Sequence, residues 1–193
     1  MRLAEVERGD TVGHRLLIQA ISRFAGYRLP DAARVAFYDQ KFAGPALGRW
    51  TQKAMRGPSS WSVSERELMA ALVASWNTCP FCIGAHRAIA IKGMDAAVAD
   101  TALADYRTAP ISERLLAAIT FLERMTKDPD GLTVDDAREA LSRGISADEL
   151  RDVAAVGAVF NIITRNANAL DYAILSSEEF GRAAGMLLRR GYS

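Results

Sequence analysis

The sequence predicts an all-α protein. In the segments described below, apolar residues recur at the three- and four-residue spacing of amphipathic helices. No segment shows the sustained alternation of apolar and polar residues that is typical of strands. Several helix starts are marked by a Ser or Thr followed three residues later by a Glu or Asp, which is the pattern of a capping box. We therefore expect a helical bundle.

Length and composition are those of one ordinary globular domain. The chain has 193 residues, half of them apolar and 24% charged, which is enough to bury a core without cross-linking by disulfides or metals. The net charge is +1, so nothing indicates a polyanionic partner, and we expect no nucleic-acid binding.

No segment indicates export or a membrane anchor. Met1 is followed by charged and polar residues, without the apolar region of a secretory signal. The longest apolar run, Val153 to Phe160, is far too short to cross a bilayer and predicts a buried core helix. We expect a cytoplasmic protein with no membrane partner.

Three helices are predicted in the first third of the chain. Thr11 to Ala25 is the first, ended by Gly26, and its apolar residues indicate a helix packed on the surface. Pro30 to Lys41 and Pro45 to Met55 follow, and both end close to glycine. The apolar residues of the first helix at helical spacing are Leu16, Leu17, Ala20, Ile21 and Phe24.

A turn-rich stretch, RGPSSWSVS from Arg56 to Ser64, is interpreted as the one clear linker. It separates residues 1–58, an N-terminal helical arm packed on the core, from residues 59–193, which hold the chemistry. We expect the two parts to form a single domain.

Two helices are predicted around the cysteines. Ser64-x-x-Glu67 is interpreted as a capping box, which gives Glu67 a structural role that requires no catalysis. The helix that it opens stops near Asn77-Thr78, and the next helix runs from about Pro80 to Gly93.

Five further helices are predicted after Gly93. Two more helix starts are expected near Thr133 and Ser146, and Ser146-x-x-Glu149 faintly repeats Ser64-x-x-Glu67, 82 residues earlier. A turn is expected at Asp128-Pro129-Asp130-Gly131. The predicted helices are Asp95–Tyr106, Ser112–Lys127, Thr133 to Gly144, Ala147–Leu170 and Glu178–Arg190, the first of them short and rich in alanine.

The chemistry is concentrated in one short stretch. Cys79 and Cys82 are the only cysteines, and His86 is one of two histidines. At positions i, i+3 and i+7 the three side chains share one face of a helix. Pro80 fits the first helical position, so Cys79 is expected at the N-cap, where unpaired N–H groups and the helix dipole favour a thiolate. Glu67, 12 residues before Cys79, can fold back over the thiols and supply a base.

Several interpretations of the cysteine pair remain open. A structural zinc site needs four ligands, and the stretch supplies three. Covalent haem attachment is excluded, because Ile83 rather than histidine follows Cys82. A thioredoxin-like site would follow a β-strand, whereas these flanks are helical. Two inert buried cysteines are possible. We favour a redox-active dithiol, because in a reducing compartment this spacing is more typical of redox or metal chemistry than of a structural cross-link.

A dithiol mechanism follows from the chemistry of the thiolate. Attack on a peroxide gives a sulfenic acid, and the second cysteine condenses with it to form a disulfide. Another dithiol must then reduce the protein again. No haem, flavin or nicotinamide signature is present, so no cofactor and no metal are expected.

The motif Glu67-x11-Cys79-x-x-Cys82-x3-His86 resembles the active site of AhpD-like alkylhydroperoxidases, the peroxidase-related branch of the carboxymuconolactone decarboxylase superfamily. The stretch from Phe160 to Leu170, FNIITRNANAL, also resembles the FN-x-x-x-R helix of that family. The resemblance covers roughly residues 61–192.

The resemblance implies an AhpD-like fold in a homo-oligomer that reduces organic hydroperoxides or acts as a related disulfide oxidoreductase. By position, Cys82 would be the peroxidatic thiol that becomes sulfenic acid, and Cys79 the resolving thiol and proton donor. Glu67 and His86 would form the proton relay. With the resemblance, we favour this interpretation of Glu67 over the capping interpretation. The electron donor in the family is a lipoyl-bearing protein.

One position departs from the family pattern. Members with the best-described relay have a histidine between the two cysteines, where this chain has Phe81. Proton transfer is therefore expected to depend on His86 and water. Decarboxylation is not expected, because the decarboxylases of the superfamily generally lack the cysteine pair.

Overall fold

The computed structural model describes residues 1–38 and 44–192, which form eleven α-helices, one 3₁₀ turn at Pro129–Gly131 and no strand. The predicted all-α class is therefore confirmed for this part of the chain. The helices are α1 (Ala4–Arg8), α2 (Val12–Ala25), α3 (Asp31–Phe37), α4 (Gly44–Arg56), α5 (Val63–Trp76), α6 (Pro80–Ala90), α7 (Ala96–Asp105), α8 (Glu113–Lys127), α9 (Val134–Ser142), α10 (Ala147–Leu170) and α11 (Ser177–Arg190).

Helix α5 is the centre of the bundle. It packs on α6, α10, α8, α7 and α4, and every residue from Arg66 to Ala74 is buried. Its side chains are largely small or apolar on all sides, as expected for a helix surrounded by protein. Residues of α5 are therefore held by neighbours from most of the chain.

Helix α10 has the predicted bounds, and the apolar run Val153–Phe160 lies inside it. Val153, Val156, Val159 and Phe160 are fully buried, which confirms the prediction of a core helix. None of the helices in the described part of the chain combines the length and the hydropathy needed to cross a membrane.

Most of the other predicted helices are also present with similar bounds. Thr11 caps α2 by accepting a hydrogen bond from the His14 N–H, and Gly26 ends it in the left-handed region, with φ of 71°. Helix α3 ends at Phe37, whereas the prediction extended to Lys41, and residues 39–41 lie outside the described residues. The short α1 was not predicted.

The capping box of α5 was predicted in the wrong frame. Ser62, not Ser64, is the N-cap: it accepts a hydrogen bond from the Glu65 N–H, and Glu65 accepts one from the Ser62 N–H at 2.7 Å. The sequence SVSERE contains two overlapping Ser-x-x-Glu frames, and the fold uses the frame that leaves Glu67 on the buried side of α5. The two N-caps Ser62 and Ser146 are therefore 84 residues apart, not 82 as the faint repeat assumed. Asn77 and Asn161 have the same separation, and their side chains hydrogen-bond.

The apolar side of α2 is mostly exposed. Leu16 is 62% and Phe24 93% exposed, whereas Ile18, which lies outside the predicted stripe, is buried. The amphipathic pattern correctly predicted the helix, but most of the apolar residues in the predicted stripe face solvent rather than the core of the described residues.

The close packing of α11 on α6 depends on a glycine. A Cβ atom added to Gly84 would lie 2.5 Å from Cε2 of Phe180, which is far inside van der Waals contact. Since Phe180 is itself buried, its ring has little freedom to move away. Gly84 thus allows α11 to cover the helix that begins at the cysteines.

Replacing Gly84 with alanine should therefore destabilise the protein by about 1–3 kcal/mol, the usual cost of overpacking. Gly181→Ala is the matched control, since a Cβ there meets no atom within 4 Å and alanine favours the helix by roughly 0.5–1 kcal/mol. Chemical denaturation of both variants measures the difference. Equal stability of the two variants would contradict the packing described here.

Candidate active site

The two cysteines lie at the start of α6, as predicted. Cys79 is the N-cap and Pro80 the first helical residue. The preceding turn is fixed by Thr78, whose φ of 51° is in the left-handed region, and by a hydrogen bond from the Cys79 N–H to the Ala74 carbonyl at 2.8 Å. Both cysteines are free thiols and only 1% exposed.

The two thiols differ in acidity because they interact with each other. A hydrogen bond from Cys82 lowers the pKa of Cys79 to about 7, against the opposing effect of burial, and the backbone N–H groups of Cys82 and Phe81 lower it further. The same hydrogen bond, together with burial, raises the pKa of Cys82. The first negative charge of the pair therefore resides on Cys79, with the remaining proton on Cys82.

Glu67 lies on α5 with its carboxylate fully buried. One oxygen, Oε2, is 2.7 Å from Nδ1 of His86. The other, Oε1, accepts a hydrogen bond from the Tyr192 hydroxyl at 2.8 Å and is 2.7 Å from Nη1 of Arg56. The capping role that the sequence suggested for Glu67 is therefore wrong, because Glu65 fills it.

These partners keep Glu67 ionised. Burial raises the pKa of its carboxyl, but the hydrogen bond and charge of His86, the charge of Arg56 and the hydrogen bond of Tyr192 outweigh burial and leave the pKa below its ordinary value. Since a carboxylate can only accept hydrogen bonds, Nδ1 of His86 must donate. In the neutral imidazole Nε2 is then the acceptor.

His86 lies one helical turn after Cys82 on the same face of α6. Helical side chains point toward the N-terminus, so the imidazole projects over the turn that holds Cys82. The ring is 6% exposed and meets Phe160 edge-on, with centroids 4.4 Å apart. The structure thus brings together Glu67 and His86, the two residues of the predicted relay, at the helix that begins with the cysteines.

Aromatic side chains surround the sulfur atoms on their other side. The Phe81 ring packs edge-on against Tyr172, with centroids 5.2 Å apart, and tilted against Phe180 at 5.8 Å. Burial and the nearby cysteines raise the pKa of Tyr172, with a contribution from Asp31. Phe81, the residue between the two cysteines at the position where the family has histidine, therefore forms part of an apolar wall of the site.

Polar side chains of α10 hold the turn before Cys79. The Asn77 side-chain amide donates to Asn161 at 2.9 Å and to Thr164 at 3.0 Å, and Asn168 donates to the Asn77 carbonyl at 2.8 Å. Arg165 donates to the carbonyl and side-chain oxygens of Asn161. The stretch that resembles the FN-x-x-x-R helix therefore positions the cysteines and, through Phe160, the histidine.

Sequence reasoning missed two residues of this site. Arg56 ends α4 in the segment assigned to the linker, and Tyr192 follows the last helix. Neither has a motif or a spacing that relates it to Glu67, which is 125 residues before Tyr192. Within residues 1–38 and 44–192, no group of three or more His, Cys, Asp and Glu side chains is arranged to hold a metal ion.

Two of the larger cavities lie away from the cysteines. One, of about 470 Å³, lies between α8 and α9, and its charged lining residues include Arg124 and Asp136. The other, of about 480 Å³, lies between α4, α5 and α10, with Trp50 and Arg66 in its lining. Neither is lined by the paired thiols, so substrate access to the sulfur atoms does not run through them.

Comparisons with known proteins identify the fold. No protein-family model matches the sequence, and no curated protein has significant similarity to it. Among solved structures, an uncharacterized peroxidase-related protein from Silicibacter sp. TM1040 superposes with a TM-score of 0.77 at 22% identity over 93% of each chain. A peroxidase-related protein from Ralstonia eutropha JMP134, described as an alkylhydroperoxidase AhpD core, gives 0.72 at 23% identity over 89% of this chain and 88% of that one.

A third neighbour has a different activity in its name. The debrominase Bmp8 superposes with a TM-score of 0.68 at 18% identity, over 92% of this chain and 94% of that one. The AhpD-like fold of this chain, which the sequence motif implied, is therefore shown. The fold is shared by proteins named for different reactions, so the reaction has to be argued from the site.

The acidity of the dithiol can be measured without a substrate. Thiolate absorbance in the ultraviolet should titrate with a midpoint near pH 7 for the first proton. In Cys82→Ala the midpoint should move to higher pH, because the hydrogen bond that stabilises the Cys79 thiolate is lost. An unchanged midpoint in Cys82→Ala would show that the two sulfur atoms do not interact.

Proposed function

We propose that this chain, with its AhpD-like fold, is a thiol-dependent peroxidase that reduces organic hydroperoxides through Cys79 and Cys82. The protein would be recycled by an external dithiol. A non-peroxidase disulfide oxidoreductase or redox sensor is the alternative, and a zinc-binding assembly module is a further one. The observation that supports a peroxidase best is a pair of interacting thiols at the start of α6, followed one turn later on the same helix by a histidine that a buried carboxylate orients.

The first step prepares the nucleophile. Nε2 of His86 takes one proton from the dithiol, and the Glu67 carboxylate stabilises the resulting imidazolium through Nδ1. The remaining proton starts on Cys82, which donates a hydrogen bond to the Cys79 thiolate. Moving this proton from Cys82 to Cys79 leaves Cys82 as the attacking thiolate.

The second step breaks the peroxide bond. The Cys82 sulfur attacks the terminal oxygen of the hydroperoxide ROOH, forming the S–O bond of a sulfenic acid while the O–O bond breaks. The leaving alkoxide RO⁻ takes the proton from the Cys79 thiol and departs as the alcohol. This assignment gives Cys79 the role of proton donor that the family resemblance implies.

The third step closes the disulfide. The Cys79 thiolate attacks the sulfur of Cys82 and expels hydroxide, which takes the proton from the His86 imidazolium and leaves as water. The sum is two thiols and ROOH giving a disulfide, ROH and water. A dithiol such as a lipoyl-bearing protein then restores both thiols.

The surroundings of the dithiol favour organic hydroperoxides over hydrogen peroxide. Phe81, Tyr172 and Phe180 pack around the sulfur atoms, and burial of an alkyl or aryl group against them is favourable. With both sulfur atoms only 1% exposed, we infer that substrate enters when one of these rings moves.

Assembly and location are parts of the same proposal. A homo-oligomer, which the resemblance implies, would cover the exposed apolar side of α2, where Leu16 and Phe24 contact solvent. A large exposed apolar surface commonly marks an interaction site. The dithiol chemistry requires a reducing compartment such as the cytoplasm.

Thiol counting tests the peroxidase proposal. Reduced protein mixed with tert-butyl hydroperoxide should lose two thiols per chain, and dihydrolipoamide should sustain turnover. Cys82→Ser should abolish turnover. Cys79→Ser should consume one equivalent of peroxide and accumulate a sulfenic acid at Cys82 that dimedone traps. Undiminished turnover by Cys82→Ser would end the proposal.

The competing functions give different results in the same assay. A redox sensor would form the disulfide without turnover, and a disulfide oxidoreductase would exchange with dithiols but not consume peroxide. A debrominase has been crystallised with 2,3,4-tribromopyrrole, so this compound is a second substrate to test. Release of bromide without peroxide consumption would replace the peroxidase by a dehalogenase.

The role of Glu67 can be separated from helix capping. Glu67→Gln keeps the size of the side chain but loses the negative charge that stabilises the imidazolium, so turnover should fall by about 100-fold or more. Glu65→Gln is the matched control, because glutamine also completes a capping box. It should retain full turnover. Equal activity of the two variants would remove Glu67 from the relay.

A further inference from the structure

Oε1 of Glu67 is held by an ion pair and a hydrogen bond from distant parts of the chain. Arg56 comes from the end of α4, at 2.7 Å, and Tyr192 from beyond α11, at 2.8 Å. The guanidinium lies over the Tyr192 ring, 4.9 Å from its centroid, so the two side chains also stabilise each other.

We propose that Arg56 and Tyr192 are positioning residues that keep Glu67 a carboxylate, so that Glu67 orients His86 and never takes up the proton that the dithiol releases. This inference rests on the proposed function and assigns the proton to Nε2 of His86. It changes the role of Glu67 from a member of a proton chain to a fixed negative charge.

The environment of Arg56 supports this role. Its side chain is only 10% exposed, and its Nε and Nη2 atoms are buried without a hydrogen-bond partner. Unpaired buried donors cost free energy, so this guanidinium is poorly suited to a purely stabilising role. Its close ionic contact is with Oε1 of Glu67, where a positive charge favours the ionised carboxyl.

Tyr192 acts through a hydrogen bond. Burial and the charge of Glu67 raise the pKa of Tyr192 well above its ordinary value, so the phenol stays protonated and donates. Its oxygen is also 3.5 Å from Nδ1 of His86, which places it at the junction of the carboxylate and the imidazole. The hydroxyl thereby limits how far either group can turn.

The charged and titratable groups around Glu67 define how the site responds to pH. Arg56 from α4, His86 from α6 and Tyr192 from the C-terminal segment contact the carboxylate, and Arg66 on α5 adds positive charge at longer range. In the wild type, Glu67 therefore stays ionised well below the pH at which Cys79 titrates, near 7. The acidic limb of the pH–activity profile then does not reflect titration of Glu67.

Loss of Arg56 should change that limb. In Arg56→Gln the pKa of Glu67 rises, because one of the groups that offset burial, the Arg56 charge, is lost while His86 and Tyr192 remain. The acidic limb should move by about one pH unit to higher pH, a tenfold loss of rate at a fixed acidic pH, and become steeper. Arg56→Lys should largely restore the wild-type limb, and Tyr192→Phe should lower kcat by roughly tenfold.

Matched controls exist elsewhere in the chain. Arg114 pairs with Glu149 and lies 3.8 Å over the Trp61 ring, so Arg114→Gln removes the same kind of contact outside the site. Tyr106 donates to Glu123 at 2.6 Å, so Tyr106→Phe is the control for Tyr192→Phe. Both controls should keep the wild-type pH profile. The proposal is overturned if Arg56→Gln keeps the wild-type pH profile and Tyr192→Phe the wild-type kcat.

A spectroscopic measurement separates this inference from the proposed function. The infrared band of a protonated carboxyl, assigned to Glu67 by its loss in Glu67→Gln, should be absent at pH 6 in the wild type and present in Arg56→Gln. This result does not require turnover, so it stands even if the protein reduces no peroxide. A protonated Glu67 in the wild type at pH 6 would overturn the inference while leaving peroxidase activity intact.

Discussion

A buried negative charge is the constraint around which this site is arranged. The Glu67 carboxylate has no contact with solvent, and an unpaired charge in that position would cost several kcal/mol. Its compensation comes from α4, α6 and the segment after α11, and each of these elements must dock on α5 to provide it. The central position of α5 in the bundle and the location of the site are therefore consequences of the same packing.

Much of the fold follows from local signals in the sequence. The period of apolar residues and the caps at Thr11, Ser146 and Gly26 act over a few residues, so they predict helices without knowledge of the tertiary structure. The same holds for the cysteines, because Pro80 determines that Cys79 is the N-cap. Cys82 and His86 then share a face by the geometry of one helix.

The rest of the site depends on contacts between distant segments. In the sequence, Arg56 belongs to the stretch interpreted as a linker, and Tyr192 follows the last predicted helix without a motif. Only the assembled bundle brings them to Glu67. The frame of the α5 capping box was also undecided locally, because Ser62 and Ser64 both fit the pattern. Burial decided it: with the Ser62 frame, Glu65 is half-buried at the start of α5 and Glu67 is fully buried. The exposed stripe of α2 is a related case, in which the pattern is amphipathic but no element among residues 1–38 and 44–192 covers it.

The long sequence separation between Glu67 and Tyr192 has a consequence for biosynthesis. A nascent chain that has emerged only as far as α6 already contains both sulfur atoms, the carboxylate and the imidazole, but not the phenol that restrains them. Helix α11, which covers α6, is also synthesised later than the motif. The four residues of the motif are thus synthesised before two of the elements that enclose them, α11 and the segment that contains Tyr192, and their surroundings are complete only when both have docked.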